Sequence, residues 1–219
     1  ITERKQMENR EVLLHSLLRH DVKNKIPAAD GYLDLVETTE LPDDTIGWLS
    51  TTSRLLDDSI SLIDNVGTLA ELTQDDPEPW ELGEVIEKVL DGYQPQAETV
   101  DIKISAEDCS GRVLGGPLLE PLFSNLVSNA LTHANADRIE IRCRRDGDEY
   151  VVSVVDDGGG LATDSGADLL EKGVSEGDSA GTGLGLYLVS EIVDSYGGQL
   201  SLDSSSSGGL AVTVRLQAA

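Results

Sequence analysis

The chain has 219 residues, 39% of them hydrophobic, enough for one large or two modest cores. Its 41 acidic against 16 basic residues leave a net charge of −25, a field that repels DNA, RNA and anionic lipid, so nucleic-acid binding is excluded as an expectation. No apolar run approaches the roughly 20 residues needed to span a bilayer, and the opening Ile1-Thr-Glu-Arg-Lys-Gln-Met carries no apolar signal segment, which predicts a cytoplasmic fragment without membrane contact.

The acids are scattered over loops and helix faces rather than gathered in a tail, the pattern of a solvated acidic surface. A narrower expectation is adaptation to a salt-rich cytoplasm, where ionic strength screens self-repulsion. Cys109 and Cys143 lie far apart, with no Cys-x-x-Cys and no His at metal-ligand spacing, and read as two ordinary thiols in a reducing cytosol.

From Leu18 the apolar positions Leu18, Val22, Ile26, Ala29, Leu33 and Val36 alternate steps of four and three, the seam of a bundled helix. A second seam runs through Leu49, Leu56, Ile63, Val66 and Ala70. Between them, Thr38-Thr-Glu-Leu-Pro-Asp-Asp reads as a helix stop and restart. The result is an antiparallel helical hairpin over residues 1–73. Two amphipathic helices cannot bury both stripes alone, so a symmetric second copy is predicted to complete a homodimeric four-helix bundle.

Asp75-Asp-Pro-Glu-Pro79 lies in a polar linker, residues 74–81, ahead of a second domain over 82–219. In that domain Leu82 to about Leu90 is predicted helical, Val100-Asp-Ile-Lys-Ile-Ser extended, and Pro117 to about His133 helical. Arg138-Ile-Glu-Ile-Arg-Cys and Tyr150-Val-Val-Ser-Val-Val form a hairpin across Arg145-Asp-Gly-Asp. A helix follows from Leu184 to about Tyr196, then strands near Gln199-Leu-Ser-Leu and Leu210-Ala-Val-Thr-Val-Arg. Strand runs mixed with separate helices predict an α+β layer sandwich.

His20 lies two residues from both Leu18 and Val22, about 200° around the helix from each, and so points away from the seam. Asn24 shares its face and Asp21 adjoins it. On position alone a surface histidine without a role is the plainer reading. An exposed imidazole is nonetheless free to act as a nucleophile, with a carboxylate to fix its tautomer and accept the departing proton.

Asn125, Asn129 and, approximately, His133 share one helical face at spacing four. Such amides suit a hard cation and phosphate, although polar residues on a wet helix face fit the same pattern. Asp156-Asp-Gly158-Gly-Gly160 ends a strand with an acid and then glycines, either a plain turn or a carboxylate set to accept an exocyclic amine. Gly181-Thr182-Gly183-Leu184-Gly185 runs directly into a helix, whose free N–H groups can cradle phosphates. Neither Rossmann nor Walker spacing is met.

These motifs, in this order, resemble the sensor histidine kinases of two-component signalling. Leu17-Leu-Arg-His20-Asp21-Val-Lys-Asn24 resembles their phospho-acceptor box, Leu122 to His133 the Asn-box shared with gyrase, Hsp90 and MutL, and the two glycine stretches their glycine boxes. The resemblance implies a Bergerat-type α/β sandwich that takes ATP and Mg²⁺. It makes His20 the phosphorylated residue, Asp21 its general base, and Asn24 the residue that orients water for dephosphorylation. It makes Asn129 the Mg²⁺ ligand, with Asn125 and His133 near the phosphates, Asp156 the adenine reader flanked by Gly158 and Gly160, and Gly181 to Gly185 the phosphate cradle. Residues 161–180 would form the lid over ATP, where Lys172 contacts phosphate.

Three positions depart from the family pattern: proline comes at Pro27 rather than directly after Asn24, Thr132 replaces a frequent lysine, and the lid stretch Leu170-Glu-Lys172-Gly173 lacks phenylalanine. The implied partners are a second copy, the receiver domain of a response regulator, and an upstream PAS-type sensor domain suggested by Ile1-Thr-Glu-Arg-Lys-Gln. The rival readings are a non-autophosphorylating ATPase of the gyrase and Hsp90 group, and a degenerate kinase that serves only as a scaffold.

Overall fold

The computed structural model describes residues 43–71, 76–160 and 184–219. The chain divides into two compact units, Ile1–Glu71 and Leu72–Ala219. Of the first unit the described part is one helix, α1 (Asp43–Glu71), which starts where the Pro42-Asp43 break places it. The first helix of the predicted hairpin lies outside the described residues, so the hairpin itself is not seen. No helix among the described residues is long and apolar enough to cross a membrane.

The second unit runs β1 (Glu78–Glu81), α2 (Leu82–Thr99), β2 (Lys103–Glu107), β3 (Arg112–Gly115), α3 (Leu119–His133), β4 (Arg138–Asp146), β5 (Glu149–Asp156), α4 (Leu184–Ser195), β6 (Gln199–Ser204) and β7 (Leu210–Gln217). A five-stranded sheet has the order β2-β4-β5-β7-β6, with β2 parallel to β4 and the other pairs antiparallel. β1 and β3 form a separate antiparallel ribbon. Alternation along the strands sets the two faces. Ile139, Ile141 and Cys143 on β4 stand opposite Asp156, Val154 and Val152 on β5, and Val212 and Val214 on β7 continue the same face.

Helices α2, α3 and α4 supply the second layer. Leu82, Ile86 and Val89 from α2, Leu122, Phe123 and Leu126 from α3, and Leu188, Ile192 and Val193 from α4 are all at most 2% exposed. Burying each such side chain contributes about 1.5–3 kcal/mol, so this interface contributes strongly to the unit's stability. The result is the α/β sandwich expected from the mixture of elements.

Three segments differ from the sequence reading. The stretch read as the end of a linker, Glu78 to Glu81, is strand β1, because Trp80 and its neighbours find a partner in β3, which alternation over only four residues did not reveal. Helix α2 continues past Leu90 through Gly92 and Pro95 to Thr99, since Ala97 is fully buried and packing overrides the local breakers. The cysteines are not free thiols: Cys109 and Cys143 form a disulfide with a Cα–Cα distance of 4.8 Å. The cause is register. Parallel pairing sets Glu107 opposite Arg142, and a left-handed Asp108 (φ 55°) then turns Cys109 beside Cys143.

Candidate functional site

Asp156 ends β5 on the helix-facing side of the sheet and is 6% exposed. A buried carboxylate needs donors, and here two backbone amides supply them to a single oxygen: Gly158 N at 2.9 Å and Leu210 N at 3.2 Å both donate to Oδ1. Oδ2 has no hydrogen-bond partner among the described residues. One oxygen thus fixes the side chain while the other stays available to a ligand donor.

The backbone around it is locked from both sides. The Asp156 carbonyl accepts from Ser205 Oγ at 3.0 Å and Ser207 Oγ at 3.4 Å. Asp157 Oδ1 accepts from the amides of Asp137 and Arg138, each at 2.9 Å. Gly159 N donates to Ala134 O at 3.0 Å, which draws the loop against the end of α3 so closely that a Cβ on Gly158 would collide with that carbonyl oxygen. Gly160 has φ +68°, a conformation that favours glycine. The two glycines therefore serve different ends, one close approach and the other a left-handed turn.

Helix α3 presents its amides on the flank that its apolar stripe leaves free. Leu122, Phe123, Leu126, Val127 and Ala130 face the core, which leaves Asn125 and Asn129 half-buried beside it. Asn125 Nδ2 donates back to Pro121 O at 2.9 Å, while the Asn129 amide has no partner among the described residues. The start of α4 comes directly against this pair. A Cβ on Gly185 would lie 3.3 Å from Asn125 Oδ1 and from both amide atoms of Asn129, so the last glycine of that box touches the amide stripe.

Two tyrosines hold α3 in place. The Tyr196 hydroxyl accepts from Leu118 N at 3.1 Å, and burial pushes its pKa up. Tyr93 on α2 bonds Ser124 and Ser128, and burial again raises its pKa, against the lowering effect of those bonds.

Of the residues singled out in the sequence, the structure brings together Asn125, Asn129 and Gly185, and sets Asp156, Gly158 and Gly160 just beyond the C-terminal end of α3 through Ala134. His133 is the last residue of α3 and Leu184 the first of α4. His20, Asp21, Asn24, Lys172, Gly181, Thr182 and Gly183 lie outside the described residues. Ser205, Ser207, Gly209 and Leu210 were missed as site residues. Nothing local in the run from Ser204 to Leu210 shows that its serine hydroxyls and the Leu210 amide grip Asp156.

Among the described residues no cluster of three or more His, Cys, Asp or Glu could hold a metal. A cation at this site would therefore rest on few protein ligands together with ligand phosphate and water, the usual manner of Mg²⁺. A groove of about 270 Å³ opens on the opposite face of the sheet, lined by Arg142, Arg144, Ser153, Val155 and Ser204 to Ser206. Of the residues around Asp156 and Asn129 described above, it shares only Ser205.

Comparison with known proteins agrees with this geometry. Residues 116–219 match the family described as histidine kinase-, DNA gyrase B-, and HSP90-like ATPase. The chain is 30% identical over 190 residues to the sensor protein IrlS of Burkholderia pseudomallei, covering 83% of this chain and 38% of that protein. It is 27% identical over 210 residues to the sensor histidine kinase RcsC of Escherichia coli, covering 90% and 22%. The chain thus spans well under half of the length of these two relatives. Among solved structures, full-length ShkA in complex with AMPPNP superposes with a TM-score of 0.64 at 22% identity, covering 94% of this chain and 46% of that one. The Acinetobacter baumannii histidine kinase AdeS superposes with a TM-score of 0.60 at 18% identity, covering 91% and 98%. At these identities the structural likeness speaks for the fold.

Proposed function

We propose that this chain, which belongs to the sensor histidine kinases through its C-terminal catalytic domain, phosphorylates its own His20 from ATP and passes the phosphoryl group to an aspartate of a response regulator. The observation that carries the nucleotide half of this reading is Asp156. Its Oδ1 is held by two amides and its Oδ2 is unpartnered among the described residues, the acceptor that the exocyclic amine of adenine requires.

Asn125, Asn129 and Gly185 would then hold phosphates, with His133 at the end of α3 and Leu184 at the start of α4, and the sequence motifs add Gly181, Thr182, Gly183 and, from the lid, Lys172. The amide of Asn129, unpartnered among the described residues, fits a Mg²⁺ ligand, and Mg²⁺ bound there would neutralise phosphate charge. His20 attacks the γ-phosphoryl group in line, Asp21 takes its proton, and Asn24 orients water when the regulator is dephosphorylated.

The working arrangement is a dimerising hairpin over 1–73, a linker before the catalytic unit, and a second copy that completes the bundle. Because the apolar spacing around His20 sets it off the helix seam, catalysis would require the ATP-binding unit to swing onto it, a step an upstream sensor can gate.

Incubation with Mg-ATP labelled at the γ position, followed by mapping of acid-labile phosphate, tests the proposal. Label on His20, lost in His20→Gln, is expected. Label elsewhere refutes the acceptor assignment. ATP turnover without label would establish the plain ATPase, and undetectable affinity for Mg-ATP in a folded chain the scaffold.

A further inference from the structure

We propose that the Cys109–Cys143 disulfide is a redox-sensitive latch on the segment by which the chain enters its catalytic unit. The bond ties the loop between β2 and β3 to β4, deep in the sheet, across 34 residues of sequence. That loop is the seat of the unit's first elements. Leu82 N, opening α2, donates to Gly111 O at 2.9 Å, and Gly83 lies so close to the loop that a Cβ there would come 2.6 Å from Cys109 O. β1 pairs along its whole length with β3, which follows the loop directly, and Glu81 bonds Arg112. The ribbon so formed reaches the end of β7 through the Val113–Ala218 bridge and the bond from Ala219 N to Arg112 O at 3.0 Å. The first unit ends at Glu71, so β1 and the start of α2 are the first described elements of the second. Their anchorage runs through a covalent bond that a reductant can open.

The chemistry is thiol–disulfide exchange with a dithiol reductant. Cys109 is partly exposed and Cys143 is 5% exposed, so the reductant's thiolate attacks Cys109 Sγ. A mixed disulfide forms and Cys143 leaves as thiolate and is protonated. The second thiol of the reductant attacks the mixed disulfide, releasing Cys109 as a thiol and leaving the reductant as a cyclic disulfide. Two electrons pass to the protein. The loop then keeps its backbone contacts but loses its tie to β4.

Amide hydrogen exchange on the whole chain, with and without dithiothreitol, tests the latch, alongside a Cys109→Ala/Cys143→Ala variant that cannot form the bond. Reduction should raise exchange over residues 78–83 and 109–115 by about tenfold while β5 and β7 are unchanged, and the variant should show the raised level in both conditions. Equal exchange over 78–83 in both states overturns the proposal. So does a uniform rise across all strands, which would make the bond a general staple. Alkylation of either cysteine in the folded, unreduced protein overturns it as well.

Discussion

Replacing Asp156 by Asn and by Ala separates the two jobs assigned to one carboxylate. Oδ1 accepts from Gly158 N at 2.9 Å and Leu210 N at 3.2 Å, within a residue that is 6% exposed. Asparagine can keep its oxygen toward both amides, since the opposite flip would set its NH₂ against two donors. Bonds to a charged group, about 1.5–3 kcal/mol each, become ordinary ones of about 0.5–1.5, a loss near 2 kcal/mol in total. Alanine leaves both amides unmatched at about 1–3 kcal/mol each, near 4 in total. For a unit of this size each kcal/mol lowers Tm by about 3 °C, which predicts drops of about 6 °C for Asn and about 12 °C for Ala.

Nucleotide binding should rank differently. On the proposed reading, the free position in Asp156→Asn becomes a donor that would face the exocyclic amine of adenine. Losing that charge-assisted bond costs about 2–3 kcal/mol, or about 30- to 100-fold in affinity for ATP. A 6-oxo purine triphosphate offers an acceptor at the same place and should bind Asp156→Asn better than ATP does. Thermal denaturation and calorimetric titration of both nucleotides measure the two effects. Full ATP affinity in Asp156→Asn, or an alanine variant as stable as the asparagine one, would refute the reasoning.

Gly158→Ala should unfold or severely destabilise the catalytic unit, because its Cβ collides with the Ala134 carbonyl, whereas Gly159→Ala, with open space around its Cβ, should change stability by less than about 0.5 kcal/mol. Urea titration of the pair checks the contrast, and equal loss in both would sink it. The hydrogen bond from Arg142 holds the Glu140 carboxyl below its ordinary value of 4.5, against an opposing push from desolvation. A depressed carboxylate stabilises the fold above its unfolded pKa, and that contribution disappears as pH falls through the lower folded value. Glu140→Gln should therefore flatten the acid limb of a stability profile below about pH 4.5, and an unchanged limb would contradict the assignment. The net charge of −25 predicts a higher Tm in molar KCl than in dilute buffer, and equal melts would argue against adaptation to salt.

Much of the catalytic unit was legible because its signals are local. The hairpin of β4 and β5 turns at Gly147 and Asp148, inside the stretch read as its turn, and the amides Asn125 and Asn129 share a face because helical spacing alone requires it. What escaped depends on tertiary pairing. β1 and β3 are four residues each, too short for alternation to show, and exist by virtue of each other. The helix read as ending near Leu90 runs on through Pro95 to Thr99 because Ala97 is buried. The disulfide required knowing that β2 runs parallel to β4, a register no spacing of cysteines encodes. At the site, Asp156 was readable as a candidate, but its dependence on Leu210 was not.

That dependence bears on how the protein is made. Leu210 N reaches Asp156 across 54 residues, and Ser205 and Ser207 reach its carbonyl across 49 and 51. During synthesis, therefore, α3 and the strand bearing Asp156 leave the ribosome well before the groups that orient the carboxylate. A nascent chain stopped short of Leu210 holds the amide stripe and the glycines after Asp156, yet keeps only one of the two amides that orient the carboxylate, Gly158 N. The second amide arrives only as β7 takes its place between β5 and β6, so on the proposed reading nucleotide affinity should rise when that strand is complete.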